Sequence, residues 1–222
     1  MPHTRVWCGV AVSAPSPTPA QRPARQRLSA EQRREALVDA TIEVVAHQGY
    51  QRASLTEIAR TAGVSKGLLW HYYADGEELM THAARTALVR VREAVAAELD
   101  LTAAVPVVVR AAIRRAALLL RTHAQEMAAI HAIATGLRAP DGSPAISPQE
   151  YEQTYALQEE LFRRGQREGS LRTTDPRLTA VFYQGAIDAM IAHLRAHPEV
   201  DPTACADAVA DLVLDGITTR PS

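Results

Sequence analysis

Lysine is all but missing from this chain of 222 residues: Lys66 stands alone, and every other member of the 24 basic residues is an arginine. Only two cysteines occur, Cys8 and Cys205, too few and too far apart for a disulfide framework or a cysteine metal cluster. That economy fits a reducing cytoplasm. No apolar run approaches the ~20 residues of a bilayer span, so a membrane helix is excluded. Alternating strand patterns are absent too. The net charge of -1 carries no bulk signal for nucleic acid, whose binding domains are often visibly basic.

What is present begins with a proline-rich start. Val6 to Ala14 imitates a short signal peptide, but Gly9 and Ser13 interrupt it and Pro15, Pro17, Pro19 and Pro23 follow. Residues 1–28 therefore read as a disordered extension. Residues 1–30 hold no acid and include Arg5, Arg22, Arg25 and Arg27, which suits either a solvated tail or an arm on DNA phosphates.

From Ser29 onward the sequence reads as about nine helices, an all-α chain. Ser29-x-x-Gln32 is a capping box, and the helix behind it carries Leu37, Val38, Ile42 and Val45 at helical spacing up to Gly49. Ser54-x-x-Glu57 opens a second helix that Gly63 closes, and Ser65 caps a third. These three are expected to be short. Asp75-x-x-Glu78 starts a long one reaching about Leu99; two more follow, near Thr102 with Pro106 in the first turn and from about His123 to Gly136. Pro140, Gly142 and Pro144 mark an internal loop, after which Ser147-Pro148-Gln149-Glu150 caps a helix running to Gly169. Asp175-Pro176 and Asp201-Pro202 open the last two.

A bundle without special activity accounts for the later six helices but not for the first three. In Leu55 to Ser65, small Ala59 lets two helices cross, Gly63 turns and Val64 plugs the turn, which is how a helix-turn-helix is held. On the next helix Leu69 and Tyr73 share an inward stripe, while Lys66, Gly67, Trp70 and His71 point outward. Aromatics left in water gain nothing from packing, so a face with Lys, Trp and His side by side suits an anionic, flat-sided partner. Lys66 suits a phosphate or guanine edge, Trp70 and His71 sugars or bases, and Tyr72 a phosphate; solvated charge and partial burial are the plain alternatives.

From about Arg33 to Leu79 the motifs Ile42-x-x-Val45-x-x-x-Gly49-Tyr50, Thr56-x-Ile58-Ala59-x-x-Ala62-Gly63-Val64-Ser65-Lys66-Gly67 and Glu77-Glu78-Leu79 resemble the DNA-binding domain of the TetR family of transcriptional regulators. The resemblance implies a helix-turn-helix DNA-binding domain over residues 29–81. It implies also a larger helical domain over 82–222 that binds an effector and dimerises. Its partners would be operator DNA, a second copy of itself and a small-molecule effector, as in a cytoplasmic, nucleoid-associated repressor on a palindromic operator. DNA-contacting positions carried over from the family fall on Ser54, Thr56, Ser65, Lys66, Gly67, Leu68, Trp70, His71 and Tyr72. Leu68, Trp70 and Gly76 depart from the common pattern, which often has a small polar residue, Tyr, and Lys or Arg there. Gly76 puts one phosphate contact per subunit in doubt. Gln158 to Arg172, followed by Asp175-Pro176, also resembles the family's C-terminal scaffold.

Five aromatics are candidates for an effector pocket, Tyr151, Tyr155, Phe162, Phe182 and Tyr183, and they suit a core equally well. Ala180, Gly185, Ala186 and Ala189, with Val209, Leu212 and Val213, predict a four-helix dimer interface; packing within one subunit is the alternative. His193 and His197, four apart, have no cysteine or acidic partner in view, so neither a metal nor a cofactor is expected. No Ser/His/Asp grouping or glycine-rich phosphate loop favours a helical enzyme over a regulator.

Overall fold

Capping side chains set six of the nine described α-helix starts. A computed structural model describes residues 29–138, Gly142 and 151–219. Among these run α1 (Ala30–Gln48), a 3-10 turn (Tyr50–Arg52), α2 (Leu55–Thr61), α3 (Lys66–Tyr72), α4 (Gly76–Ala96), α5 (Val105–Thr122), α6 (Ala124–Gly136), α7 (Glu152–Arg167), α8 (Pro176–Ala196) and α9 (Pro202–Ile217). No named strand occurs among the described residues; Leu171 and Thr218 form one isolated bridge.

The Ser29 box closes in both directions, Ser29 Oγ accepting from Gln32 N and Gln32 Oε1 from Ser29 N. Asp175 and Asp201 each accept two first-turn amides ahead of a proline that has none to offer. At the Ser54 start Ser54 Oγ accepts from Glu57 N, while the Glu57 carboxylate accepts from Arg60 one turn on. The Asp75 start differs again, since Glu78 Oε2 accepts from Ala74 N. Two lengths differ from expectation. α1 is 19 residues, not short, and α4 stops at Ala96, short of Leu99. The expected cap of α7 at residues 147–150, like the 1–28 extension, lies outside the described residues.

Two apolar cores result. The first joins Leu37, Val45, Ile58, Leu69, Tyr73 and Leu79 of α1 to α4, and draws in Ala129, Ile133 and Leu137 from α6 and its end. Each fully buried leucine here contributes about 2 kcal/mol by leaving water. The one buried hydroxyl in α1, Thr41 Oγ1, donates to Leu37 O at 2.7 Å and so is satisfied. The second core is built from α5, α7, α8 and α9 around Val109, Ile113, Phe162, Tyr183 and Ala210. Along its edge Arg110 and Arg114 of α5 pair with Asp211 and Asp207 of α9 at 2.6 and 2.5 Å.

α6 is therefore the shared element. It packs on α1, α4 and the 3-10 turn with one face and on α5 with another.

Candidate nucleic-acid interface and an internal cavity

Gly63 turns the chain between α2 and α3 at φ 68°, a left-handed conformation that glycine adopts without a Cβ penalty. Val64 N then donates to Ala59 O at 3.0 Å, locking the two helices at the small residue. Ser65 Oγ accepts from Leu68 N at 3.3 Å and starts α3. Leu69 and Tyr73 are buried against Ile58, with Val64 and Ala62 packed at the margin. The Tyr73 hydroxyl meets His82 Nδ1 of α4 at 2.8 Å, and the Arg34 guanidinium lies over its ring. The back of α3 is thus held from three sides.

Its front is open. Ser54, Thr56, Ser65, Lys66, Gly67, Trp70 and His71 are exposed, and Leu68 and Tyr72 are half-buried. Trp70 keeps 45 % of its surface in water. The His71 ring meets Tyr72 edge-on, with centroids 5.5 Å apart. Arg60 is engaged by Glu57, whose carboxyl this guanidinium holds below its usual range. Lys66 has no ion-pair partner among the described residues, so on α3 its charge is uncompensated. At Gly76 a Cβ would lie 3.4 Å from Leu55, an ordinary contact, so space does not impose a glycine there.

Between the two cores lies a cavity of about 660 Å³. It lies within the size range of small-molecule sites. Apolar side chains from α4, α5, α6, α7 and α8 line most of it, among them Leu88, Val95, Leu119, Ile130 and Ile191. Of the five aromatics expected there, only Tyr151 and Tyr183 reach the wall. Burial and the nearby Asp188 carboxylate push the Tyr151 hydroxyl up to about 12, and burial raises Tyr183 further. The other three assignments need correction. Phe162 is fully buried in the second core, edge-on to Tyr183 at 5.4 Å. Tyr155 stacks on Tyr151 under the Arg177 guanidinium. Phe182 points outward with 66 % of its surface exposed, because α8 turns it about 100° from Tyr183.

Sequence reasoning missed the polar lining: Gln158, Gln184, Asp188, His131 and Arg195. The available signal was the row Gln184, Asp188 and Arg195, which recurs at helical spacing beside the buried stripe Tyr183, Ile187, Met190 and Leu194.

The residues named for a dimer interface divide. Ala180 and Val213 are buried inside the subunit, which fits the intra-subunit alternative. Gly185, Ala189 and Leu212 are exposed, Ala186 and Val209 half-buried. With Leu178 and Phe182 the exposed ones leave an apolar strip on α8 and α9. His193 and His197 lie with ring centroids 4.7 Å apart, and His197 does have an acidic neighbour, Glu199 at 3.2 Å. No group of three or more His, Cys, Asp or Glu side chains suited to a metal ion occurs among the described residues. No described helix is long and apolar enough to cross a membrane.

Comparison with known proteins gives this geometry a lineage. Residues 37–83 match the model of the bacterial regulatory proteins of the tetR family. Over 61 residues the chain is 44 % identical to the HTH-type transcriptional regulator BetI of Rhizobium meliloti, covering 28 % of this chain and 30 % of that protein. BetI of Cronobacter sakazakii is 40 % identical over 67 residues, 30 % of this chain and 33 % of the relative. The match thus spans about a third of the length of these relatives. Across the whole fold, a Shewanella protein assigned to the TetR-family regulators superposes with a TM-score of 0.68 at 20 % identity, over 85 % of this chain and 99 % of that one. A Rhodococcus transcriptional regulator does so with 0.68 at 19 %, over 85 % and 99 %. Residues 37–83 are thus similar to the DNA-binding domain of the tetR family, and the described helices share the fold of these solved regulators.

Proposed function

We propose that the chain is a transcriptional repressor that binds a palindromic operator as a homodimer and releases it when a small molecule enters the cavity. The observation that carries this reading is the outward face of α3, where Lys66, Trp70 and His71 stand uncovered within the stretch that matches the family model. Lys66 supplies charge for a phosphate or guanine, and the rings supply flat apolar surface for sugars and bases. Leu68 offers its methyls to a thymine. Two such helices, one per subunit, would sit about one DNA turn (~34 Å) apart in adjacent major grooves.

The exposed strip of Leu178, Phe182, Gly185, Ala189 and Leu212 supports pairing of α8 and α9 with the same helices of a second copy. A stable monomer rarely leaves so many large apolar side chains in one place. Effector response is supported by α6, which lines the cavity with Met127, Ile130 and His131 and enters the first core with Ala129 and Ile133. A ligand that moves α6 acts on the seat of α1 and α4. A preference of about 3 kcal/mol for a non-matching separation lowers operator affinity about 150-fold.

The test is a band shift on the DNA upstream of the protein's own coding sequence, in excess non-specific DNA. Specific binding that disappears in the double variant Lys66→Ala, His71→Ala supports the reading. Full affinity in that variant overturns it.

A further inference from the structure

The cavity carries information about the chemistry of its occupant. Gln184, Asp188, Ile191 and Arg195 line it from one face of α8, at spacings of four, three and four residues. That row is about 16 Å long at 1.5 Å per residue, with Asp188 and Arg195 about 10 Å apart. The two ends differ in sign.

At one end Arg195 Nη2 donates to Met127 O at 3.3 Å, a neutral partner, and among the described residues no carboxylate lies within ion-pair distance of its guanidinium. Burial pulls its pKa down, and burial and then the Arg195 charge pull down that of His131 on the adjoining wall, while no carboxylate pairs with Arg195 among the described residues. At the other end Asp188 Oδ1 accepts from Gln184 Nε2 at 2.9 Å, and Gln184 Oε1 accepts from Gln158 Nε2 at 2.7 Å. Every donor in this chain points toward the carboxylate, which has no cation beside it.

The sign of the ligand follows from which charge has an escape. Asp188 is an exposed residue whose carboxyl is partly desolvated against the cavity, which raises its pKa; it can relieve its charge in water or by taking a proton, which makes it a donor as well as an acceptor. An arginine has no such recourse; its guanidinium stays charged. The remaining charged lining residues do not alter the balance. Glu160 is paired with Arg167 at 2.9 Å, Arg164 is held by Glu168 and the Ala103 carbonyl, and Arg92 adds a further cation without an ion-pair partner among the described residues.

We propose that the cavity takes an apolar carboxylic acid of medium chain length, with its carboxylate on Arg195 and His131 and a hydroxyl part-way along the chain bonded to Asp188. The chain between them lies along Ile187 and Ile191. This proposal rests on the effector reading for its biological sense, but binding is measured on the protein without DNA, so failure of operator recognition leaves it intact.

The experiment is calorimetric titration of the full chain with decanoate, 6-hydroxydecanoate, decanol and decylammonium. Decanoate is expected to bind about tenfold or more tightly than decanol and decylammonium, since a charge-assisted pair outweighs a neutral contact. The 6-hydroxy acid should bind more tightly still. Arg195→Gln should weaken both acids about tenfold or more, with Arg195→Lys falling between because it keeps the charge and loses the fork. Asp188→Leu should leave decanoate unimpaired and remove the advantage of the hydroxyl. Circular dichroism melts of the unliganded variants show whether each still folds, and Arg195→Lys serves if Arg195→Gln does not. Tighter binding of decylammonium than of decanoate, indifference of the acids to both Arg195 variants, or no binding of either acid overturns the proposal.

Discussion

The ring of Tyr50 lies against the backbone of Gly136 so closely that a Cβ on Gly136 would come within 2.4 Å of Tyr50 Cδ1 and 2.8 Å of Cγ. Tyr50 opens the turn between α1 and α2, and Gly136 is the last residue of α6. The clash would fall on the base of the ring rather than on a flexible tip, so the ring cannot step aside without moving its own backbone. Gly136→Ala is expected to destabilise the fold by about 1–3 kcal/mol, the usual cost of overpacking. Urea unfolding measures it. Tyr50→Ala in the same chain should recover part of the loss, and additive effects of the two changes would deny the contact.

His82 makes stability depend on pH. Burial, then the cations Arg34 and Arg85, hold its pKa below the ordinary 6.5. The unfolded chain therefore binds the proton at a higher pH than the folded one, and stability falls as pH drops through 6.5 toward the depressed folded value. Above that window the contribution is fully present. Urea midpoints compared at about pH 7.5 and about pH 5.5 should fall for the parent chain and fall less for His82→Gln, which keeps a partner for the Tyr73 hydroxyl.

Phe162 is enclosed in the second core with no accessible surface. Phe162→Ala should cost about 3–5 kcal/mol, seen as a lowered denaturation midpoint with α-helical content retained at low denaturant. An effect confined to ligand binding would return this side chain to the cavity wall.

The outward aromatic predicts assembly instead. Phe182→Asp with Leu212→Asp places charge where 66 % and 76 % of the two side chains are exposed. Light scattering should report a dimer for the parent and a monomer for the variant at micromolar concentration, with little loss of monomer stability. A variant that stays dimeric moves the interface elsewhere.

The proposed DNA contact of Lys66 is readable in the salt dependence of binding. Lys66→Ala should flatten the log-log salt slope by about 0.9 per subunit, as each lost phosphate contact releases one fewer set of counterions. An unchanged slope would put Lys66 on a base edge or off the DNA.

What the sequence made legible was local. Ser29, Ser65, Asp175 and Asp201 signal helix starts through bonds that span three residues, and all four form. The inward pair Leu69 and Tyr73 was legible because one helix turn fixes which side chains share a face. The aromatics of α7 and α8 were not, because adjacency in sequence hides a 100° turn: Tyr183 lines the cavity while Phe182 faces water. The role of α6 was hidden for a different reason. Ala129, Met127, Ile130 and Ile133 spread around its circumference, and a helix apolar on several sides does not announce which neighbour each side will meet. Asp188 and Arg195 give no signal of their own, because only the packing of α4, α6 and α7 beside α8 makes that face a cavity wall.

α6 also limits how this protein can be taken apart. A chimera that joined residues 29–96 to a foreign sensor would leave behind Ala129, Ile133 and Leu137, and the patch on α1 and α4 that they cover would meet water. The helix-turn-helix unit is therefore discontinuous along the chain, and any graft must either bring α6 with it or supply a helix of matching relief.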